Sequence, residues 1–221
     1  FTVEDLKRYL DGFPVYAIGY VDDIERRGEG LKEVCTSTER LCKIACELGC
    51  KNVQLVTGPL AMGTVGNPMY PDVPVSEEYK ELLKKDWKEI RRVTSEDLKV
   101  ICDIGAGYNV RFYLETLGWT PAASLKRGIE LLDETERENI GLIIDFWHMY
   151  VSDTPPDEVA KLNKSIINGV HFCDSLKKKE VIDQTLRDVY PGHGYAHIKE
   201  YLDTVKATSY DDWMSGECFY E

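Results

Sequence analysis

The chain has 221 residues, 43% apolar and 30% charged, enough for one large globular domain with a substantial core or for two small ones. A net charge of −12 argues against a broad attraction for nucleic acid or anionic lipid and favours a small substrate or a divalent cation. Neither a signal peptide nor an apolar run near the ~18 residues of a membrane span is visible, so no membrane role is expected.

In chain order, Thr2 is placed as an N-cap before the helical pattern TVEDLKRYL (2–10). PVYAIGYV (14–21) is rich in strand formers. Leu31, Val34, Cys35, Leu41, Ile44, Ala45 and Leu48 recur at helical spacing and stop at Gly49, predicting a helix over 31–49. NVQLVTG (52–58) reads as a strand. It runs into a Gly/Pro-rich loop to about 75, suited to an active-site lid or to a plain connection. SEEYKELLKKDWKEIRRV and SEDLKVICDIGAGY continue as a long charged helical region to 108. There follow a strand at 110–117, a helix at 121–134 with Pro in its first turn, a strand at 141–148 (GLIIDFWH) and a helix near 156–165. A strand at 168–174, a helix at 196–206 and a last strand at 213–220 complete the series.

Strands alternating with helices over short connections imply an α/β fold with a parallel sheet and right-handed crossovers. An open dinucleotide-binding sheet would carry a Gly-rich fingerprint after its first strand. VGNP and PGHG are turns without a following GxxG. The expected fold is therefore a (β/α)8 TIM barrel, of which the six predicted strands supply about six of the eight units.

Seven cysteines, at 35, 42, 46, 50, 102, 173 and 218, form no CxxC pair and are odd in number, which points to a reducing cytoplasm rather than a disulfide scaffold. Cys42, Cys46 and Cys50 would share one helix face. Zinc binding is one reading of them, and small thiols packed in a core is the other.

In parallel α/β folds functional side chains sit at the C-terminal ends of strands. Four predicted strand ends each supply an acid or an imidazole: Glu115 (FYLE), Asp145 (IIDFWH), His171 (GVHFCD) and Glu217 (SGECF). Three carboxylates and one imidazole converging on a barrel axis would repel one another without a cation. Hard oxygen donors with one nitrogen suit a divalent metal, Mn²⁺ first, with Mg²⁺, Co²⁺ or Zn²⁺ as alternatives.

FYLETLGWTP, IGLIIDFWH, GVHFCD, RDVYPGHG and WMSGECF, in that order, resemble the sugar phosphate isomerase/epimerase superfamily. This is the xylose-isomerase-like barrel group that includes inosose isomerases, hydroxypyruvate isomerase and ketose 3-epimerases. The similarity runs from about 31 to 221; each motif is weak alone and the ordered set is specific. The resemblance implies Glu115, Asp145, His171 and Glu217 as the ligands of one divalent metal ion, and Glu115 and Glu217 as the catalytic pair. These would remove and return a proton beside a carbonyl through a metal-stabilised enediolate. It also implies that His148 faces the substrate, that Arg187 contacts a substrate hydroxyl or carboxylate, and that Asp174 shapes the site. A loop salt bridge to Asp183 or Asp188 is the alternative for Arg187. Trp119 and Trp147 are candidate apolar walls for a sugar's C–H face, or packing residues. His193 and His197, in and after the PGHG turn, read as surface residues.

The activity so implied is isomerisation or epimerisation of a sugar, cyclitol or related hydroxy-ketone. Two alternatives on the same barrel are an inosose-type dehydratase and the catalytic subunit of a C-glycoside deglycosidase, the latter with a small partner subunit. Homo-oligomers are common in the family. A non-enzymatic metal-containing binding or scaffold module would be expected to lose a ligand, and all are present. Apurinic endonucleases use a related barrel but need a His-rich multi-zinc cluster, which four histidines and the acidic charge do not suit. The predicted elements match the family from its second helix onward. The expectation is thus a single barrel domain over 1–221 without its first strands and closing helix, and with an N-terminal Phe in place of a natural start.

Overall fold

The computed structural model describes residues 2–60, 77–179 and 184–217. Helix α1 (Val3–Leu10) leads into β1 (Ile18–Val21), α2 (Glu29–Leu48), β2 (Asn52–Val56), α3 (Glu77–Leu83), α4 (Trp87–Ala106) and β3 (Arg111–Glu115). Then come α5 (Leu125–Thr135), β4 (Ile140–Asp145), α6 (Phe146–Val151), α7 (Pro156–Val159), β5 (Ile167–Phe172), α8 (Ile198–Ala207) and β6 (Met214–Gly216). Among the described residues the six strands form one parallel sheet in sequence order. The result is a partial barrel with β1 and β6 at its edges.

Several predicted elements shift for identifiable reasons. Thr2 caps α1 in a reciprocal box with Asp5. The charged region 76–108 is two helices, because Asp86 breaks the run and its carboxylate caps α4 through the Glu89 N–H at 3.0 Å. Pro121 stands outside α5, which starts after Ser124, whose hydroxyl accepts from Arg127 N–H. The strand predicted over 141–148 ends at Asp145, and Phe146–Val151 is helical. The helix near 156–165 shrinks to the short α7 and a 3₁₀ turn at Lys164–Ile166. Of the loop 59–74 only residues 59 and 60 lie within the described residues; of the last predicted strand, 213–220, residues to 217 are described, and β6 occupies Met214–Gly216.

Strand side chains alternate between two layers. Val53, Leu55, Phe112, Leu114, Ile140, Leu142, Ile144, Ile167 and Val170 pack outward with Val34, Ala45, Leu98, Ile101, Leu125 and Leu131 of the helices. Gln54, Tyr113, Glu115, Ile143, Asp145 and His171 therefore face the barrel interior. Ile167 and Val170 lie three apart yet on one layer, which strict alternation forbids. The register explains it. Leu142 pairs with Ile167 and Ile143 with Gly169, so Asn168 is the extra residue of a bulge. Its side chain amide donates to the Phe112 carbonyl at 2.7 Å and accepts from Arg111 at 2.6 Å. The bulge flips the parity of β5 and aims His171 inward, opposite Asp145.

Gly141 makes room for Asn168: a Cβ there would lie 2.7 Å from Asn168 Cγ and 2.6 Å from the Ile166 carbonyl oxygen. Gly141→Ala is expected to lower unfolding stability by about 1–3 kcal/mol through overpacking, read from the midpoint of a urea titration.

Candidate metal centre and its cavity

Asp145 ends β4 and starts α6. Its Oδ1 accepts the His148 N–H at 2.9 Å, capping the helix, and its Oδ2 pairs with the Arg187 guanidinium at 3.0 Å. Both side chains are buried, at 1% and 2% exposure. Arg187 also reaches Glu217 Oε2 at 3.3 Å and lies over the Trp147 ring at 4.4 Å. Of the two carboxylates expected for a loop salt bridge, Asp183 lies outside the described residues. Among the described residues Arg187 pairs with Asp145 and Glu217.

Around this pair the four predicted ligands converge. Glu115 from β3, Asp145 from β4, His171 from β5 and Glu217 after β6 each offer one atom, and these atoms all lie within 4.8 Å of one another. His171 Nδ1 stands 3.5 Å from Glu115 Oε1, 3.7 Å from Asp145 Oδ2 and 3.2 Å from Glu217 Oε2. The His171 ring is held edge-on by Tyr113 and packed against Trp213. The backbone brings Glu217 into place, its N–H donating to the Phe172 carbonyl at 3.1 Å.

The electrostatics suit a bound cation. Burial pulls the His171 imidazole down, but the surrounding Asp145, Glu115 and Glu217 oxygens outweigh it and push the group up to about 12. Burial lifts Glu217 to about 7 against the pull of Arg187. Burial also works against Asp145, yet Arg187 and then His148 hold its carboxyl well below the usual range. Glu115 Oε1, His171 Nδ1 and Glu217 Oε2 are buried and make no hydrogen bond among the described residues, although they face one another as ion-pair partners. A buried polar atom without a hydrogen bond costs about 1–3 kcal/mol. A divalent cation bonded by these atoms and Asp145 would satisfy all of them at once, and the donor set of three carboxylates and one imidazole suits such an ion. Among the described residues no cysteine belongs to a group that could hold a metal, and of the three on the predicted face Cys42 and Cys50 are buried while Cys46 is exposed.

His148 lines the cavity next to these atoms. Its Nδ1 accepts the Gly118 N–H at 3.2 Å, and its Nε2 stands 3.9 Å from Glu115 Oε1. Burial pulls its imidazole down to about 4, so the ring is neutral and presents Nε2–H to the cavity. Arg187, Glu115, Glu217, Gln54, Tyr20 and His148 form the polar side, and Val56, Leu60, Leu117 and Trp119 the apolar side. Trp119 thus faces the cavity as expected for a wall. Trp147 does not; it is fully buried beneath Arg187. His193 and His197 are exposed.

Asp174 shapes the site from outside the cavity. Its two oxygens accept the N–H groups of Ser175, Gly192, Gly194 and Ala196 at 2.7–3.0 Å. It pins the PGHG turn and is not among the residues lining the cavity. The four backbone donors use up the acceptor capacity of its carboxylate.

The pattern left one positioning group unread. Gln54 donates to Glu115 Oε2 at 2.8 Å, leaving Oε1 to face His171 and His148. Its only trace in the sequence is a polar residue at an inward position of NVQLV.

A model of the xylose isomerase-like TIM barrel family matches residues 3–221. The chain belongs to this family. Among curated proteins, an inosose isomerase of Halalkalibacterium halodurans is 28% identical over 155 residues, covering 69% of this chain and 53% of the relative. Another from Bacillus licheniformis is 26% identical, covering 66% and 52%. The chain thus spans about half the length of the curated relatives it matches. Among solved structures, a crystal structure of IolI with a bound zinc atom superposes with a TM-score of 0.83 at 20% identity, covering all of this chain and 73% of that one. No helix among the described residues is long and apolar enough to cross a membrane.

Gln54→Met keeps the volume and removes the donor. Calorimetric titration with Mn²⁺ is expected to show about tenfold weaker binding, in line with other groups that orient metal ligands. In a Glu115→Ala background the same change should have no further effect, since the two act through one hydrogen bond.

Proposed function

We propose that this chain carries the catalytic face of a divalent-metal-dependent isomerase or epimerase of a sugar, cyclitol or related hydroxy-ketone. The observation that carries the proposal is the convergence of four donors from four strand ends, three of their atoms lacking a hydrogen bond, beside a cavity with one polar and one apolar side. The names of the curated relatives, inosose isomerases, support trying a ring ketopolyol first as substrate.

Glu115, Asp145, His171 and Glu217 would hold the ion. Mn²⁺ is preferred on the hardness of the donors, and the zinc in the IolI crystal structure makes Zn²⁺ the alternative. A bound divalent ion would supply Lewis-acid stabilisation for the charge that develops when a carbon acid beside a carbonyl loses its proton. The chain's own groups do the rest. Glu115 and Glu217 reach the cavity from different strands, so one carboxylate can take the α-proton and the other can return one at the neighbouring carbon or on the opposite face. His148, neutral with Nε2–H directed into the cavity, donates to a substrate hydroxyl. Arg187 keeps Asp145 ionised and orients both Asp145 and Glu217. The wall of Leu60, Leu117 and Trp119 accepts the C–H face of the ring and keeps water from the reacting carbon.

The test is deuterium uptake from heavy water into ring ketopolyols and ketoses, followed by NMR. The Mn²⁺-loaded wild type should incorporate deuterium at the carbon next to the carbonyl, and Glu217→Gln should slow this by roughly 10²–10⁴-fold. Isomerised product without deuterium would replace proton transfer by a hydride shift. Neither product nor exchange with any substrate of these classes would contradict the proposal.

A further inference from the structure

Leu60 belongs to the apolar wall with Val56, Leu117 and Trp119, yet the backbone that carries it is held by polar groups. The Gly58 N–H donates to Glu25 Oε2 at 2.9 Å, and the Leu60 N–H donates to Asp23 Oδ1 at 2.7 Å. Between them the Pro59 carbonyl accepts the Trp119 indole N–H at 3.2 Å. Thr57 and Thr120 hydroxyls meet at 3.1 Å. Loops after β1, β2 and β3 are thereby tied together at the strand ends where barrel sites form.

The two acids are out of place for a loop. Asp23 and Glu25 are only 2% and 4% exposed. Burying carboxyl groups is costly unless they satisfy donors that would otherwise be stranded. Here each meets a buried backbone N–H of the same three-residue segment. Gly58 sits so close that a Cβ would collide with the Asp23 carboxylate and the Tyr79 hydroxyl. The acids are braced from behind. Arg26 lies 3.6 Å from Asp23 Oδ2, and Arg27 donates to the Glu25 carbonyl at 2.8 Å while its guanidinium pairs with Asp97 of α4.

We propose that Asp23 and Glu25 are positioning residues for substrate selection: they hold Gly58–Leu60 so that Leu60 and Trp119 form the wall that receives the apolar face of a ring polyol. The proposal rests on reading the cavity as the substrate pocket. Burial pushes the Glu25 carboxyl up to about 8 and Asp23 in the same direction. Neutral amides that keep the acceptor oxygen are therefore suitable replacements.

The experiment compares wild type, Asp23→Ala/Glu25→Ala and Asp23→Asn/Glu25→Gln in the full chain loaded with Mn²⁺. Three quantities are read: Mn²⁺ affinity by calorimetry, solvent exchange of the Trp119 indole N–H by NMR (assigned with Trp119→Phe), and KM and kcat for a cyclohexane ketopolyol against dihydroxyacetone. The alanine pair should leave Mn²⁺ affinity unchanged and speed indole exchange. It should raise KM for the ring substrate about tenfold, as a lost apolar contact does, with kcat and the dihydroxyacetone constants little altered. The amide pair should restore both the exchange rate and KM. Unchanged exchange and KM in the alanine pair, or amide variants as impaired as alanine, would overturn the proposal. So would a wild-type Trp119 indole exchanging at the free solvent rate, which decides the matter even if the alanine pair does not fold. A wild type that protects the indole but neither binds Mn²⁺ nor turns over a ketopolyol sinks the proposed function instead, and with it the selective role.

Discussion

A carboxylate buried at the end of an inner strand has to be compensated, and Asp145 is compensated on every side. One oxygen caps α6; the other pairs with a guanidinium buried as deeply as itself and faces His171. Removing one member of such a pair costs several kcal/mol because the other charge is left stranded. The arrangement therefore fixes several things together. β4 must stop where it does, α6 must begin at once and carry His148 to the cavity, and the segment bearing Arg187 must fold back over Trp147.

The second constraint is parity. His171 can meet Asp145 only if β5 changes the face it presents, and the bulge at Asn168 makes that change. Gly141 gives the bulge its space, and the Asn168 amide crosses β4 to bond β3. A local irregularity in one strand thus decides whether the donor atoms converge. Gln54 acts in the same way on a smaller scale, fixing which oxygen of Glu115 faces the centre.

Much of this was legible in the sequence because strand ends are written plainly: an apolar run that closes on Glu115, Asp145 or His171 declares both the strand and the direction of its last side chain. The order of the motifs then identified the family. Less legible were the features set by tertiary contact. Nothing in GLIIDFWH separates a strand ending at Asp145 from one continuing to His148, because Phe, Trp and His suit either state; the side chain cap decides. Asp174 reads as one more acid after a strand, and only the folded PGHG turn shows four backbone donors closing on it. Asp23 and Glu25 sit in a charged stretch, DDIERR, which resembles a solvated loop until the backbone of 58–60 is laid against it. Chain-order patterns report periodicity and local caps; partners beyond the neighbouring turn leave no periodic trace.

The central claim is that the four strand-end donors bind one divalent ion, and metal content tests it most directly. Chain purified without chelators and back-titrated with Mn²⁺ should carry a single divalent ion by plasma mass spectrometry, and His171→Gln should lose it while retaining its fold by circular dichroism. A folded wild type that takes up no ion, or a His171→Gln variant that binds as well as wild type, would contradict the account.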